Sequence, residues 1–144
     1  MFLADKLRRL VEDFAVLEDP QDRLATLVNR AKKRPPLPAD QRSDVNRVRG
    51  CVSVVWLVGE VRDGHCTFRS EAESPLVGAL VGFLCEFFSD ATATEIATTD
   101  LDPLAALDLI RNLSPTRRNG LASALATIRA LAQTWMENEA RRSP

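Results

Sequence analysis

The chain has 144 residues, with 19 Lys and Arg against 20 Asp and Glu. That length supports one sizeable core in a single domain spanning residues 1–144, and a charge balance so close to zero gives no general attraction to nucleic acid or to an anionic membrane. Tyrosine is absent and histidine occurs once, which leaves few side chains for proton transfer near neutral pH.

The N-terminus mixes charged and apolar residues at helical spacing, with no continuous apolar stretch after a basic start, so it does not read as a secretory leader. Leu3, Leu7, Leu10, Val11 and Phe14 fall on one helical face. Asp19-Pro20 reads as an N-cap followed by proline at the first helical position, and Leu24, Leu27, Val28 and Ala31 form the stripe of the second helix. Arg30, Lys32, Lys33 and Arg34 crowd its end, where cations suit the dipole. Pro35-Pro36-Leu37-Pro38 then forms a stiff, extended connector.

The pattern changes at Asn46. Val52 to Val58 is β-branched and aromatic and predicts a strand. Arg62-Asp63-Gly64-His65 predicts a hairpin turn, with Cys66 to Arg69 returning. Asp44 to Val48 is expected as a third, shorter strand. Ser74-Pro75 opens a helix that is apolar nearly all round and therefore central and buried. Its apolar run, Leu76 to Phe88, is broken by Glu86 and is too short to span a bilayer. Gly78 and Gly82 on one face allow close contact. A short helical turn follows at Thr94 to Thr98. Asp102-Pro103 caps a helix carrying Leu104, Leu107 and Ile110, and Ser114-Pro115 opens the last one, with Leu121, Leu125, Ile128, Leu131 and Trp135 as its stripe. A polar tail from about Glu137 to Pro144 is expected to fray. The order predicts an α+β fold: a small three-stranded antiparallel sheet flanked by helices.

Three cysteines, Cys51, Cys66 and Cys85, are an odd number at wide spacings without a CxxC pair. This argues against a disulfide framework and advertises no metal site. The expectation is a cytoplasmic protein with free thiols. Cys51 follows Gly50, whose backbone freedom suits a tight turn, and Arg47 and Arg49 lie close in sequence, where cations favour the reactive thiolate. The local pattern leaves both a reactive thiol and a buried small hydrophobe open. Cys85, inside an apolar helix, reads as core, and Cys66 and His65 belong to the hairpin. Glu71 and Glu73 read as acids suited to the start of the central helix. Arg117 and Arg118 at the start of the last helix suit an anion or a partner's carboxylates, and with Arg47 and Arg49 they make a candidate basic rim around Cys51. No phosphate loop, Walker motif or HExxH is present.

Two segments resemble a known family in the right order. Asn46-x-Val48-x-Gly50-Cys51-x-Ser53-x-Val55-Trp56-Leu57 is similar to the cysteine loop and following strand of the SufE family, sulfur acceptors of iron–sulfur cluster assembly. Leu113-Ser114-Pro115-Thr116-Arg117-x-Asn119-Gly120-Leu121 resembles its C-terminal signature. With the proline connector, Phe68 and the Glu71 to Glu73 turn, the resemblance spans roughly residues 17 to 132. It implies that Cys51 takes persulfide sulfur from a SufS-like cysteine desulfurase, stimulates that enzyme and passes sulfur to a SufBCD-like scaffold. It implies a carrier rather than an enzyme, with no cofactor of its own, since the pyridoxal phosphate belongs to the desulfurase. Arg49, Gly50, Ser53, Glu73 and Arg117 are the implied supporting or partner-binding residues; Glu73 stands at a family aspartate and Arg117 at a signature arginine. No metal site, nucleic acid or membrane is implied, and the chain is expected as a monomer or homodimer. The sequence departs from the family at Val52 and Val54, where glutamines are common, at Gly78 in place of a basic residue, at Asn112 in place of a histidine, and around Pro20 to Leu24, where aromatic residues are usual. The alternative implied by the shared fold is an IscU/NifU-like cluster or metal scaffold.

Overall fold

A computed structural model describes residues 1–142. Two helices come first, α1 (Phe2–Phe14) and α2 (Pro20–Ala31), followed by short 3-10 turns at Ala39–Gln41 and Asp44–Asn46. The hairpin strands are β1 (Val55–Arg62) and β2 (His65–Ala72). The remaining helices are α3 (Pro75–Phe88), α4 (Ala93–Thr98), α5 (Pro103–Ala106) and α6 (Pro115–Arg142).

The helix starts follow the sequence closely. The Asp19 carboxylate accepts from the Gln21 N–H, Ser74 Oγ from the Val77 N–H and Asp102 from the N–H groups of Leu104 and Ala105, each with proline in the first turn. Such caps satisfy backbone donors that no helical carbonyl reaches. The central helix α3 buries ten residues between Val77 and Phe88. It packs against β2 on one side and against α2 and α6 on the others, with Phe83, Phe87 and Phe88 among the largest fully buried side chains. On α1, Leu3 and Phe14 are buried while Val11 is exposed.

The sheet has two strands, paired antiparallel from Val55↔Ala72 to Arg62↔His65. Asp63 (φ 54°) and Gly64 (φ 79°) make the two-residue turn, whose left-handed backbone matches the twist of the strands it joins. The expected third strand is absent. Asp44–Asn46 is a 3-10 turn, and only Arg47 and Val48 lie alongside β1, through a single bridge to Trp56 and the Val48 N–H bond to the Val55 carbonyl (2.9 Å). Short polar side chains at Ser43, Asp44 and Asn46 favour turns on one side, and Gly50 at φ 87° redirects the chain on the other, leaving no length for a strand.

Two further expectations are corrected. The strand predicted from Val52 begins at Val55, and Cys51 to Val54 are loop. The helix predicted over Leu104, Leu107 and Ile110 stops at Ala106, because Asp108 adopts φ 58° and the Leu109 N–H closes back on the Leu104 carbonyl (2.9 Å); aspartate fills the left-handed position that glycine usually takes at a helix end. α6 continues through Arg142, into the polar tail from Glu137 that the sequence expects to fray. Strong helix formers and the Gln133–Glu137 side-chain bond (3.0 Å) support that turn, and Arg141 and Arg142 suit its C-terminal dipole. Ser143 and Pro144 lie outside the described residues.

Candidate functional site

The thiol loop is built by one glycine and received by another. Gly50 sits at φ 87°, and a Cβ there would come within 2.6 Å of Ser123 Oγ on α6. The backbone conformation favours glycine, and a Cβ would also oblige the Ser123 hydroxyl to rotate away. One residue on, Cys51 Sγ lies 3.2 Å from the Gly120 carbonyl oxygen, to which the thiol donates. Gly120 lies within α6 and is buried; a Cβ there would stand 3.5 Å from the sulfur. The bare backbone of α6 is thus the seat of the thiol.

Beside that seat is a cavity of about 170 Å³. Its walls are Cys51, Val52 and Ser53 of the loop, Val77 of α3, and Ser114, Thr116, Arg117 and Gly120 at the start of α6. Val52 points outward, 81 % exposed, next to a half-buried Cys51. The loop's far end is held by the Glu73 N–H, which donates to the Val54 carbonyl (3.1 Å).

Electrostatics at the thiol differ from the sequence expectation. Burial pushes the Cys51 thiol above its ordinary pKa, and the Arg47 guanidinium only partly offsets this. The resting group is the protonated donor that the Gly120 carbonyl requires. Arg49 Nη2 lies 3.5 Å from the Asp44 carbonyl. Arg117 lines the thiol cavity, but Arg118 lines a separate cleft with Asp102, Leu104 and Ile110. Of the basic rim, Arg47 and Arg117 meet at the site and Arg118 does not. Glu73 is exposed, and it reaches the site through its backbone. Glu71 is no helix-start acid: its carboxylate accepts from the Leu37 N–H (3.0 Å) and pairs with Arg42 (3.0 Å), tying the proline connector to β2.

The other thiols lie elsewhere. Cys66 is fully buried opposite Val61, at the turn end of the hairpin, six ladder positions from the end that adjoins Cys51, or roughly 20 Å at about 3.3 Å per residue. Burial pushes it up to about 11. Cys85, buried in α3, is pushed up to about 12 for the same reason. His65 Nδ1 lies 2.9 Å from the Asp90 carbonyl at the hairpin tip. Among the described residues no group of three or more His, Cys, Asp or Glu is placed to hold a metal ion, and no helix is long and apolar enough to cross a membrane.

Sequence reasoning missed Ser123 and Val77, and it placed Thr116 and Gly120 in the C-terminal signature without assigning either to the thiol's surroundings. Gly120 carried a further signal: a glycine inside a helix destabilises it by about 1 kcal/mol relative to alanine, so its presence points to close packing.

Residues 8–132 match the family model described as SufE: Fe-S metabolism associated domain. An uncharacterized SufE-like protein of Rhizobium meliloti is 36 % identical over 132 residues, covering 88 % of this chain and 94 % of that protein. Another, from Rhizobium etli, is 33 % identical over 138 residues, covering 92 % and 93 %. Among solved structures, the solution structure of a hypothetical protein from Thermus thermophilus aligns with a TM-score of 0.74 at 23 % identity, over 92 % of this chain and 96 % of that one; at that identity it shows the fold alone.

Proposed function

The chain belongs to the SufE family, whose domain is associated with Fe–S metabolism, and on that premise we propose that Cys51 carries sulfur as a persulfide between a donor and an acceptor protein. The observation that carries this reading is the contrast among the thiols: Cys51 is half-exposed beside an open cavity, whereas Cys66 and Cys85 are buried. The Cys51 thiol gives up its proton and its bond to Gly120. The thiolate attacks the outer sulfur of a persulfide on the donor; the donor's S–S bond breaks and its thiolate leaves as the Cys51 S–S bond forms. No external oxidant or reductant enters.

The donor is a SufS-like cysteine desulfurase, which this chain stimulates by emptying its persulfide, and the acceptor is a SufBCD-like scaffold. The pyridoxal phosphate is the desulfurase's, and this chain acts as a carrier without a cofactor, in a cytoplasmic setting. The docking face is the exposed Val52 and the 92 %-exposed Val45 with the exposed Arg49 and Arg117, which pair with no carboxylate among the described residues. Apolar side chains rimmed by arginines suit a partner surface of the opposite charge.

The test is to incubate the protein with a SufS-like desulfurase and cysteine, trap thiols and map them by mass spectrometry. The expected product carries one added sulfur on Cys51 and none on Cys66 or Cys85. An unmodified Cys51, or full stimulation of the desulfurase by Cys51→Ser, refutes the carrier role.

A further inference from the structure

A groove between α3 and the proline connector runs along the outer edge of β2. The backbone groups of β2 alternate in direction. Cys66 exchanges hydrogen bonds with the 90–91 segment (Cys66 N–H to the Ala91 carbonyl, 2.9 Å; Asp90 N–H to the Cys66 carbonyl, 2.7 Å), and the Phe68 N–H donates to Ser89 Oγ (3.1 Å). Even-numbered residues therefore face away from β1. The next two, Ser70 and Ala72, have no backbone partner on that side among the described residues. The segment that runs past them is Arg34-Pro35-Pro36-Leu37. Prolines have no N–H to donate, and the Leu37 N–H is committed to the Glu71 carboxylate. The connector walls the edge without pairing it.

Two cavities, of about 280 and about 250 Å³, lie along this edge and share Arg34, Pro35, Ser70 and Gly82. Small residues of α3 keep the floor low. Gly82 is where the Arg34 guanidinium rests; a Cβ there would meet Nη1 at 2.5 Å. At Gly78 a Cβ would touch only Ala72, at 3.6 Å. The carboxylates of the groove are already engaged: Glu86 by Arg30 (3.5 Å) and Arg34 (2.7 Å), Glu71 by Arg42. On the rim, Lys32 and Arg69 have no ion pair among the described residues, so the groove carries uncompensated positive charge.

We propose that this groove binds an extended peptide segment of alternating acidic and apolar residues, added to β2 as a further strand. An unpaired edge with a trough beside it is the arrangement for strand addition, in which main-chain hydrogen bonds give affinity and alternate side chains give specificity. Side chains of the added strand that point inward meet Gly78 and Ala79. Those that point outward share the open face with Arg69, where acids are favoured. Gly78 lines the groove and its neighbour Val77 lines the thiol cavity, so the two sites adjoin successive residues at the start of α3. The peptide site does not depend on the sulfur chemistry.

The experiment uses the full chain and two fluorescein-labelled probes, acetyl-Glu-Val-Glu-Val-Glu-amide and its Lys-for-Glu counterpart. Fluorescence anisotropy is expected to show saturable binding of the acidic probe and binding at least about tenfold weaker for the basic one. Hydrogen exchange at the Ser70 and Ala72 amides should slow with the acidic probe bound. The double change Lys32→Glu, Arg69→Glu should weaken binding about tenfold, and Gly78→Leu, whose Cβ would make an ordinary 3.6 Å contact with Ala72 and whose longer side chain would enter the trough, should abolish it with the melting temperature retained. Cys51→Ser should bind as the parent does, so loss of sulfur acceptance and loss of peptide binding are read separately. No saturable binding up to about 1 mM, or binding that survives Gly78→Leu without slower exchange at Ser70 and Ala72, overturns the proposal.

Discussion

The hairpin has two ends built on the same backbone device and used in opposite ways. At the turn end, Gly64 at φ 79° faces open space, with no atom within 4 Å of where a Cβ would stand. At the other end, Gly50 at φ 87° is pressed against Ser123 of α6. The first glycine serves only its own turn. The second serves a tertiary contact, and the thiol beside it is held by a carbonyl sixty-nine residues away in sequence. Each end also has a cysteine. Cys66 at the turn end is sealed in the core, whereas Cys51 at the loop end has a cavity beside it. A local turn is a finished structure; a loop that depends on a distant helix can be released when that contact is broken.

The largest test of this contrast exchanges the cysteines. Cys51→Ser is expected to abolish sulfur acceptance from a desulfurase while leaving the fold intact, since the hydroxyl still donates to the Gly120 carbonyl. Cys66→Ser is expected to keep sulfur acceptance and lower stability by about 1–3 kcal/mol, because it buries a hydroxyl in an apolar site. Persulfide mapping and urea denaturation of both variants check the pair; equal sulfur loss in the two would erase the distinction.

The glycines come next. Gly50→Ala strains the backbone and displaces the Ser123 hydroxyl, so a loss of about 2–3 kcal/mol is expected. Gly64→Ala incurs the conformational term alone, about 1 kcal/mol. Denaturant midpoints measure both, and equal losses would mean that the Ser123 contact carries no weight.

Much of the turn end was legible in the sequence, because its causes are local. Asp63-Gly64 specifies the turn, and Asp19, Ser74, Asp102 and Ser114 beside prolines mark helix starts within a residue. What escaped depends on distant parts. The missing third strand follows from the turn at Asp44–Asn46 and the redirection at Gly50. The short α5 turns on Asp108 in a conformation that aspartate only sometimes takes. At the site, Gly50 and Cys51 were picked out by their neighbours in sequence, and Arg117 by a second motif. Nothing local revealed that Arg118, one residue on, faces another cleft, or that burial outweighs Arg47 at the thiol.

A smaller effect reads that electrostatic balance directly. Because the Cys51 pKa is raised, less thiolate is present at neutral pH than for a free cysteine, and the rate of alkylation by iodoacetamide is expected to keep climbing with pH beyond the point where a free thiol levels off. Arg47→Ala removes the opposing cation and should slow alkylation at neutral pH by about threefold, with Cys66 and Cys85 unmodified in the native protein. An unchanged rate would mean that burial alone sets the thiol.

The finest test sets helix stability against the thiol's seat. Gly120 lies inside a 28-residue helix, where alanine is favoured by up to about 1 kcal/mol. A Cβ at this position would lie 3.5 Å from the Cys51 sulfur and 4.0 Å from its Cβ, an ordinary contact rather than a collision. Gly120→Ala is therefore expected to raise stability by about 0.5–1 kcal/mol while crowding the sulfur. If the glycine is there to seat the thiol, the stabilised variant accepts sulfur more slowly, and thermal melting and persulfide mapping move in opposite directions. If both improve together, the glycine has no role in seating the thiol, and the 3.2 Å bond to its carbonyl alone defines the resting position.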